Sequence, residues 1–236
     1  MVDDGALLET FEDFATGLVN PFDVDEVLHT LIERVVEVVG VDGAGVSLAR
    51  EDQLLGFVAA TDPVVAEVEE HQDVQGGPCH QAYLDREPVV VDDLAEEERW
   101  PAYRQATHDL GFRAVVAVPL PTNTGPIGAL NLYQVDPRAW SEREVEVAQM
   151  MAAMASGYLL TSVALSTPDS LSTQLGHALA SRALVEQAGG ILGGRLDLDR
   201  RGAFDALQAL ADRHDTTLHD AARRLVDDPA FARDDA

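Results

Sequence analysis

The sequence predicts an α+β fold followed by a small all-helical unit, and three observations carry that prediction. Apolar residues repeat at helical spacing over about the first forty positions. The period then shortens: GAGVSLAR, LLGFVAAT, PVVVDDL, RAVVAVPL and IGALNLYQV are brief runs rich in Val and Leu, bounded by turn residues. A long helical pattern closes this region, and only helical patterns follow it.

Taken in order, Leu7, Leu8, Phe11, Phe14 and Leu18 mark a first helix. Val27, Leu28, Leu31, Ile32, Val35, Val36 and Val39 mark a second, with Asp23 and Glu26 placed as a capping box and Gly40 as its stop. The five short runs read as strands of one sheet. Between the second and third lies DPVVAEVEEHQDVQGGPCHQAYLDRE, which predicts two short helices around a Gly-Gly-Pro turn, the latter packing Ala82 and Leu84 inward. AEEERWPAYRQATHDLGF predicts another helical excursion before the fourth strand. WSEREVEVAQMMAAMASGYLLTSVAL opens with Ser141 and Glu144 in capping-box spacing and continues apolar at helical period. STPDS follows, with Thr167 as N-cap and Pro168 at the first helical position, and the domain boundary is placed there. Three helical patterns remain: Leu171 to about Gly193, Asp199 to about Arg213, and Thr217 to Val226. The expected organisation is therefore residues 1–165, residues 166–228 and an acidic tail over 229–236.

Charge divides the chain at the same place. The net charge is −26, and all 16 basic residues are arginine. Residues 1–168 carry 8 arginines against 30 acids, a charge of −22, whereas 169–236 carry 8 against 12, a charge of −4. Such a charge repels nucleic acid and anionic membranes at long range and leaves room only for a local cationic face. The absence of a long apolar run and the acidic opening MVDDGALLETFEDF predict a cytoplasmic chain. Cys79 is the single cysteine, which excludes an intrachain disulfide and a four-cysteine zinc site and reads as structural. His71, His80 and His108 show no HExxH pattern or i,i+4 pairing, so no metal site is predicted. Neither a phosphate-cradling glycine loop nor a nucleophile elbow is present, and no catalytic residue is assigned.

On the order of its pieces, with GGPCHQAYLDREPVVVDDL, LGFRAVVAVPL and GPIGALNLYQ as the most telling, the first region resembles a GAF domain. The resemblance implies an antiparallel sheet with helices on both sides and a small-molecule pocket under the overlying helices. Cys79, Tyr83, Trp100 and Tyr103 are candidate lining residues, and the ligand itself stays unidentified. Three members of the fold with other chemistry fit poorly. A methionine sulfoxide reductase needs several cysteines, the residue set of cyclic-nucleotide sites is missing, and a bilin cysteine would fall in ATHDLGF, which has none.

SRALVEQAGGIL, AFDALQALA and TLHDAARRLV, in that order and at those distances, resemble the three-helix ANTAR domain, an RNA-binding antitermination module. The family pattern places lysine where Gly189 stands, a large apolar residue at Gly193 and arginine at His219. The first helix is therefore expected to fray from about Gly193, with Gly190 marking close packing of a neighbouring helix. Arg182, Arg195, Arg223 and Arg224 accompany the matching blocks and are the candidate phosphate contacts. The resemblance implies a GAF sensor that controls an ANTAR domain binding hairpin RNA in leader transcripts. The alternative is a dimerisation module whose helical unit has lost RNA binding. A homodimer is expected in either case, since Leu171, Leu175, Ala178, Val185 and Leu192 form an apolar seam.

Overall fold

A computed structural model describes residues 2–17, 24–49, 55–165, 171–214, 216–228 and 231, with the backbone alone for 25–26, 73–75, 162–165 and 171–182. The predicted cap at Asp23 and Glu26, and the linker caps Thr167 and Pro168, lie outside what is described. The chain forms two compact units, Met1–Leu175 and Gly176–Ala236.

The first unit is an antiparallel sheet between two layers of helices. Its strands are β1 (Gly43–Ala49), β2 (Leu55–Ala60), β3 (Val89–Val91), β4 (Ala114–Pro119) and β5 (Gly128–Gln134), in the order β2-β1-β5-β4-β3. Each coincides with one of the Val- and Leu-rich runs. Residues alternate between faces along a strand, and the register sets Ala44, Val46 and Leu48 of β1 beside Leu130 and Leu132 of β5 and Val116 and Val118 of β4. This face is wholly apolar and buried under α2 (Val24–Val39) and α6 (Glu142–Leu165), with α1 (Asp4–Gly17) laid over α2.

The start of α6 is tied down by charge. Ser141 and Glu144 form the predicted capping box: the Ser141 N–H and hydroxyl both donate to Glu144 Oε2 at 2.8 Å. Arg138 donates to Glu144 Oε1 at 2.6 Å and also to the carbonyls of Val39 and Gly40 at the end of α2, so one guanidinium joins two helices. Burial pushes the Glu144 carboxyl up, but the Ser141 amide, Arg138 and the Ser141 hydroxyl outweigh it and bring it down to about 2.

The opposite face carries α3 (Pro63–Gln75), α4 (Pro78–Asp85) and α5 (Pro101–Asp109). Asp62 caps α3 by accepting from the amides of Val64 and Val65, with Pro63 at its first position. In α4, Ala82 is buried beside Cys79, but Leu84 is 57% exposed, contrary to the inward packing expected of it. Five positions beyond Cys79 on a 3.6-residue period, its side chain leaves on the far side of this short helix.

The second unit consists of the later part of α7 (Leu171–Leu196), α8 (Arg200–Arg213) and α9 (Leu218–Asp227). Asp199 caps α8 through the Gly202 amide, and Thr217 caps α9 through the Asp220 amide. Ala188, Leu192, Ala203, Leu207, Leu210, Ala211, Ala221, Ala222 and Leu225 form its core. Leu192, placed in an intermolecular seam from the sequence, is buried here and Val185 packs against the same cluster, while the side chains of Leu171, Leu175 and Ala178 lie outside the described residues.

The expected fraying at Gly193 does not occur, because α7 runs on to Leu196. It ends in a Schellman arrangement: Asp197 takes φ 54° and the Leu198 amide donates to the Gly193 carbonyl at 3.1 Å. Close packing is found at Gly193, where a Cβ would lie 3.2 Å from the Leu198 carbonyl oxygen, and not at Gly190, which faces open space.

Candidate functional site

The face of the sheet under α3, α4 and α5 differs from its apolar counterpart. The register puts Gly45 and Ser47 of β1 beside Asn131 and Ala129 of β5, with Ala117 of β4 beyond Asn131. Small side chains at these positions leave depth, and α3 fills it with polar groups. Glu69 is fully buried and lies so close to β1 that a Cβ on Gly45 would be 2.4 Å from its Oε1. Only glycine admits that approach.

Three side chains converge on the Glu69 carboxylate. Ser47 Oγ donates at 2.9 Å, Asn131 Nδ2 at 2.8 and 3.0 Å to the two oxygens, and the Tyr133 hydroxyl at 2.9 Å. Gln72, one turn further along α3, donates to the Tyr133 hydroxyl at 2.7 Å, and its Oε1 accepts from the Cys79 amide at 2.8 Å. The side chain of Gln72 therefore caps the start of α4, an end that offers amides with no intrahelical acceptor.

Around this polar centre stand Val65, Val68, Val89, Val91, Leu94, Tyr103, Phe112 and Val115. Burial and the adjacent Glu69 charge push the hydroxyls of both Tyr103 and Tyr133 well above the usual phenol range. The side chains of Tyr133 and Thr107 lie near enough to the Tyr103 hydroxyl to oppose that rise, yet neither meets it in full hydrogen-bonding geometry. Among the described residues, two buried side-chain polar atoms are left with no hydrogen bond, Tyr103 Oη and Asn131 Oδ1. Buried polar atoms are nearly always satisfied, by protein, water or ligand, so both atoms keep hydrogen-bonding capacity for a further partner.

Of the four residues expected to line a pocket, Tyr103 is buried in this cluster and Trp100 packs against it half-buried, with the Arg99 guanidinium 4.2 Å from its ring centroid. Cys79 and Tyr83 belong instead to a neighbouring cluster with Leu55 and Ala129, joined to the first through the Cys79 amide. Sequence reasoning missed Ser47, Glu69, Gln72, Asn131 and Tyr133.

The second unit offers a different surface. Arg195, Arg223 and Arg224 are exposed, and the side chain of Arg182 lies outside the described residues. Arg223 contacts His219 Nε2 at 2.6 Å and Arg224 lies 5.8 Å from the Phe231 ring centroid; neither is ion-paired with a carboxylate among the described residues. Glu186 pairs with Arg200 at 3.7 Å.

Comparison with known proteins agrees with both halves. Residues 23–159 match the GAF domain and residues 173–226 the ANTAR domain. Among solved structures, the chain is similar to the GAF domain of a phosphoenolpyruvate-protein phosphotransferase from Coxiella burnetii, at 15% identity and TM-score 0.54, covering 68% of this chain and 96% of that one. The corresponding domain from Acinetobacter is 16% identical with TM-score 0.53, covering 69% and 97%. A domain of a two-component sensor histidine kinase protein from Sinorhizobium meliloti 1021 is 20% identical with TM-score 0.51, covering 59% and 92%. At these identities the likeness is one of fold. No curated protein matches the sequence.

Proposed function

The chain belongs to the GAF and ANTAR domain-containing proteins, a signal-responsive regulator by domain content, and from that premise we propose that a small molecule in the GAF unit controls hairpin-RNA binding by the ANTAR unit. On this reading the protein works in the cytoplasm as a homodimer, causes antitermination at leader transcripts and carries out no catalysis. The observation that carries the RNA side is the trio Arg195, Arg223 and Arg224, exposed on the helices of the ANTAR match, with the last two free of carboxylate contacts among the described residues. An exposed stripe on α6, Met150, Ala153, Gly157 and Leu160, supports the homodimer, and a monomeric mass by light scattering at micromolar concentration would remove it.

RNA contact here rests on few cations in a chain of charge −26, so affinity falls steeply with salt. The test is titration of a labelled paired-hairpin RNA across a salt series. Each of Arg195→Ala, Arg223→Ala and Arg224→Ala should weaken binding and make the salt slope shallower by about one unit. Gly189→Lys, which restores the family cation at a position with open space around it, should tighten binding. If wild type shows no binding at low salt and Gly189→Lys gains none, the antiterminator reading falls and the interaction module replaces it.

A further inference from the structure

The donors and acceptors of the Glu69 cluster specify what the sensory site takes. Ser47, Asn131 and Tyr133 spend their hydrogens on the Glu69 carboxylate, Gln72 spends one on Tyr133, and the Cys79 amide spends its own on Gln72. Three donors aimed at one carboxyl group fit its ionised, acceptor-only form. What remains unsatisfied is the Asn131 carbonyl oxygen, which can only accept, and the Tyr103 hydroxyl. The site therefore offers a buried negative charge and spare acceptor capacity at Asn131 and Tyr103, while Ser47, Asn131 and Tyr133 direct their donors at Glu69.

From this we infer that the GAF unit binds a small organic cation, an ammonium or amidinium group bearing at least two N–H donors, and rejects anions. The cation sits against the Glu69 carboxylate and donates to Asn131 Oδ1 and the Tyr103 hydroxyl. Two further observations agree. The rings of Tyr103, Tyr133, Phe112 and Trp100 gather in one cluster, and aromatic faces attract cations. Residues 1–168 carry a charge of −22, which raises the local concentration of cations and repels carboxylates and phosphates. An anionic ligand would meet Glu69 in a low-dielectric site, where like charges repel strongly.

Recognition runs into the fold through Gln72. Gln72 donates through Nε2 to the Tyr133 hydroxyl and accepts through Oε1 from the Cys79 amide near the start of α4, so a ligand that displaces the first bond moves the side chain whose other end caps α4. Occupancy is thereby coupled to the position of α4 on the sheet.

This inference rests on the reading of the GAF unit as a small-molecule sensor, and the experiment separates the two. The full-length protein is titrated by calorimetry and thermal shift with benzylamine, benzamidine and agmatine, and with benzoate and inorganic phosphate as anionic counterparts. At least one cation should raise the melting temperature and bind, while benzoate and phosphate do neither. Glu69→Gln keeps size and hydrogen bonding on one oxygen, and should weaken that cation at least about tenfold, because a charge-assisted bond becomes neutral. Tyr103→Phe should weaken it by a smaller factor with circular dichroism unchanged. Binding of an anion, or no binding by any cation at millimolar concentration, overturns the cation assignment. Equal binding by wild type and Glu69→Gln places the cation elsewhere and overturns it too. The sensor reading is judged separately, by whether any ligand that binds changes affinity for the hairpin RNA; a bound cation with no such effect sinks that reading and leaves this one standing.

Discussion

The two units place their polar chemistry on opposite sides of their surfaces. The first hides it: Ser47, Glu69, Gln72 and Asn131 are buried between sheet and helices. Among the described residues, the second buries only apolar side chains, four of them leucine and five alanine, and shows its arginines to solvent. The difference follows from size. A sheet covered on both faces supplies one wholly apolar layer, Ala44 to Val118, whose burial offsets the desolvation of a polar cluster on the other face. Three short helices around small side chains have no such reserve, so any recognition they perform stays outside.

The largest test of that contrast compares the two faces of one strand. Leu132 is 1% exposed on the apolar side of β5. Leu132→Ala should cost about 2–5 kcal/mol, read from the shift of the urea midpoint, because it removes buried area and leaves a cavity. On the polar side, Tyr133→Phe keeps the ring and deletes the hydroxyl, leaving the Gln72 amide without its acceptor. That should cost about 1–3 kcal/mol. Equal losses, or a larger loss at Tyr133, would mean that the polar cluster and not the apolar layer carries the unit's stability.

The next effect in size concerns Glu144, the acid that anchors α6 to the apolar layer. Its folded carboxyl is held at about 2, below the ordinary 4.5. A depressed carboxyl contributes stability that is complete above the ordinary value and is lost as pH falls toward the folded one. The side chain is 8% exposed, so the contribution is on the order of 2–3 kcal/mol. Wild type should lose this between pH 5 and pH 2, and Glu144→Gln should be less stable at pH 7 with a visibly flatter acid limb. A Glu144→Gln curve parallel to wild type would show that other carboxylates govern the acid transition.

How far this arrangement can be read from the residues depends on where the deciding signal lies. The strands, the Ser141 and Glu144 box and the helices of the second unit are legible because periodicity and caps are local. The polar cluster is not. In VVAEVEEH, Glu67, Glu69 and Glu70 look alike, and only the phase of α3 against the sheet sends Glu69 inward. A partial signal existed in the strands: Ser47 in GVSLA and Asn131 in ALNLY are polar residues between apolar neighbours, and both fall on the face opposite Val46, Leu130 and Leu132. Tyr103 is legible as a large aromatic in a helix, whereas nothing local tells that Cys79 and Tyr83 share a helix face that packs in an adjacent cluster. For the glycines of α7 the propensity argument pointed to an early end, and tertiary contact with the turn before α8 decided otherwise.

Those glycines supply the smallest and sharpest prediction, because they separate helix propensity from packing within a few residues of one helix. Nothing lies within 4 Å of a Cβ built at Gly189, Gly190 or Gly194. Alanine at each should stabilise the second unit by up to about 1 kcal/mol, the helix propensity gained. At Gly193 the same Cβ would sit 3.2 Å from the Leu198 carbonyl oxygen and 3.6 Å from Ala203 Cβ. The Leu198 amide also donates to the Gly193 carbonyl, so the turn into α8 cannot retreat without stretching the bond that ends α7. There the propensity gain is opposed by crowding, and Gly193→Ala should be neutral or destabilising. Chemical denaturation of the four single variants, followed by far-ultraviolet circular dichroism, reads the difference. A gain at Gly193 equal to that at Gly189 would mean that the turn yields freely and that α7 and α8 are held by the leucine and alanine core alone. A loss confined to Gly193 makes its close approach to Leu198 the constraint that keeps a glycine at this position.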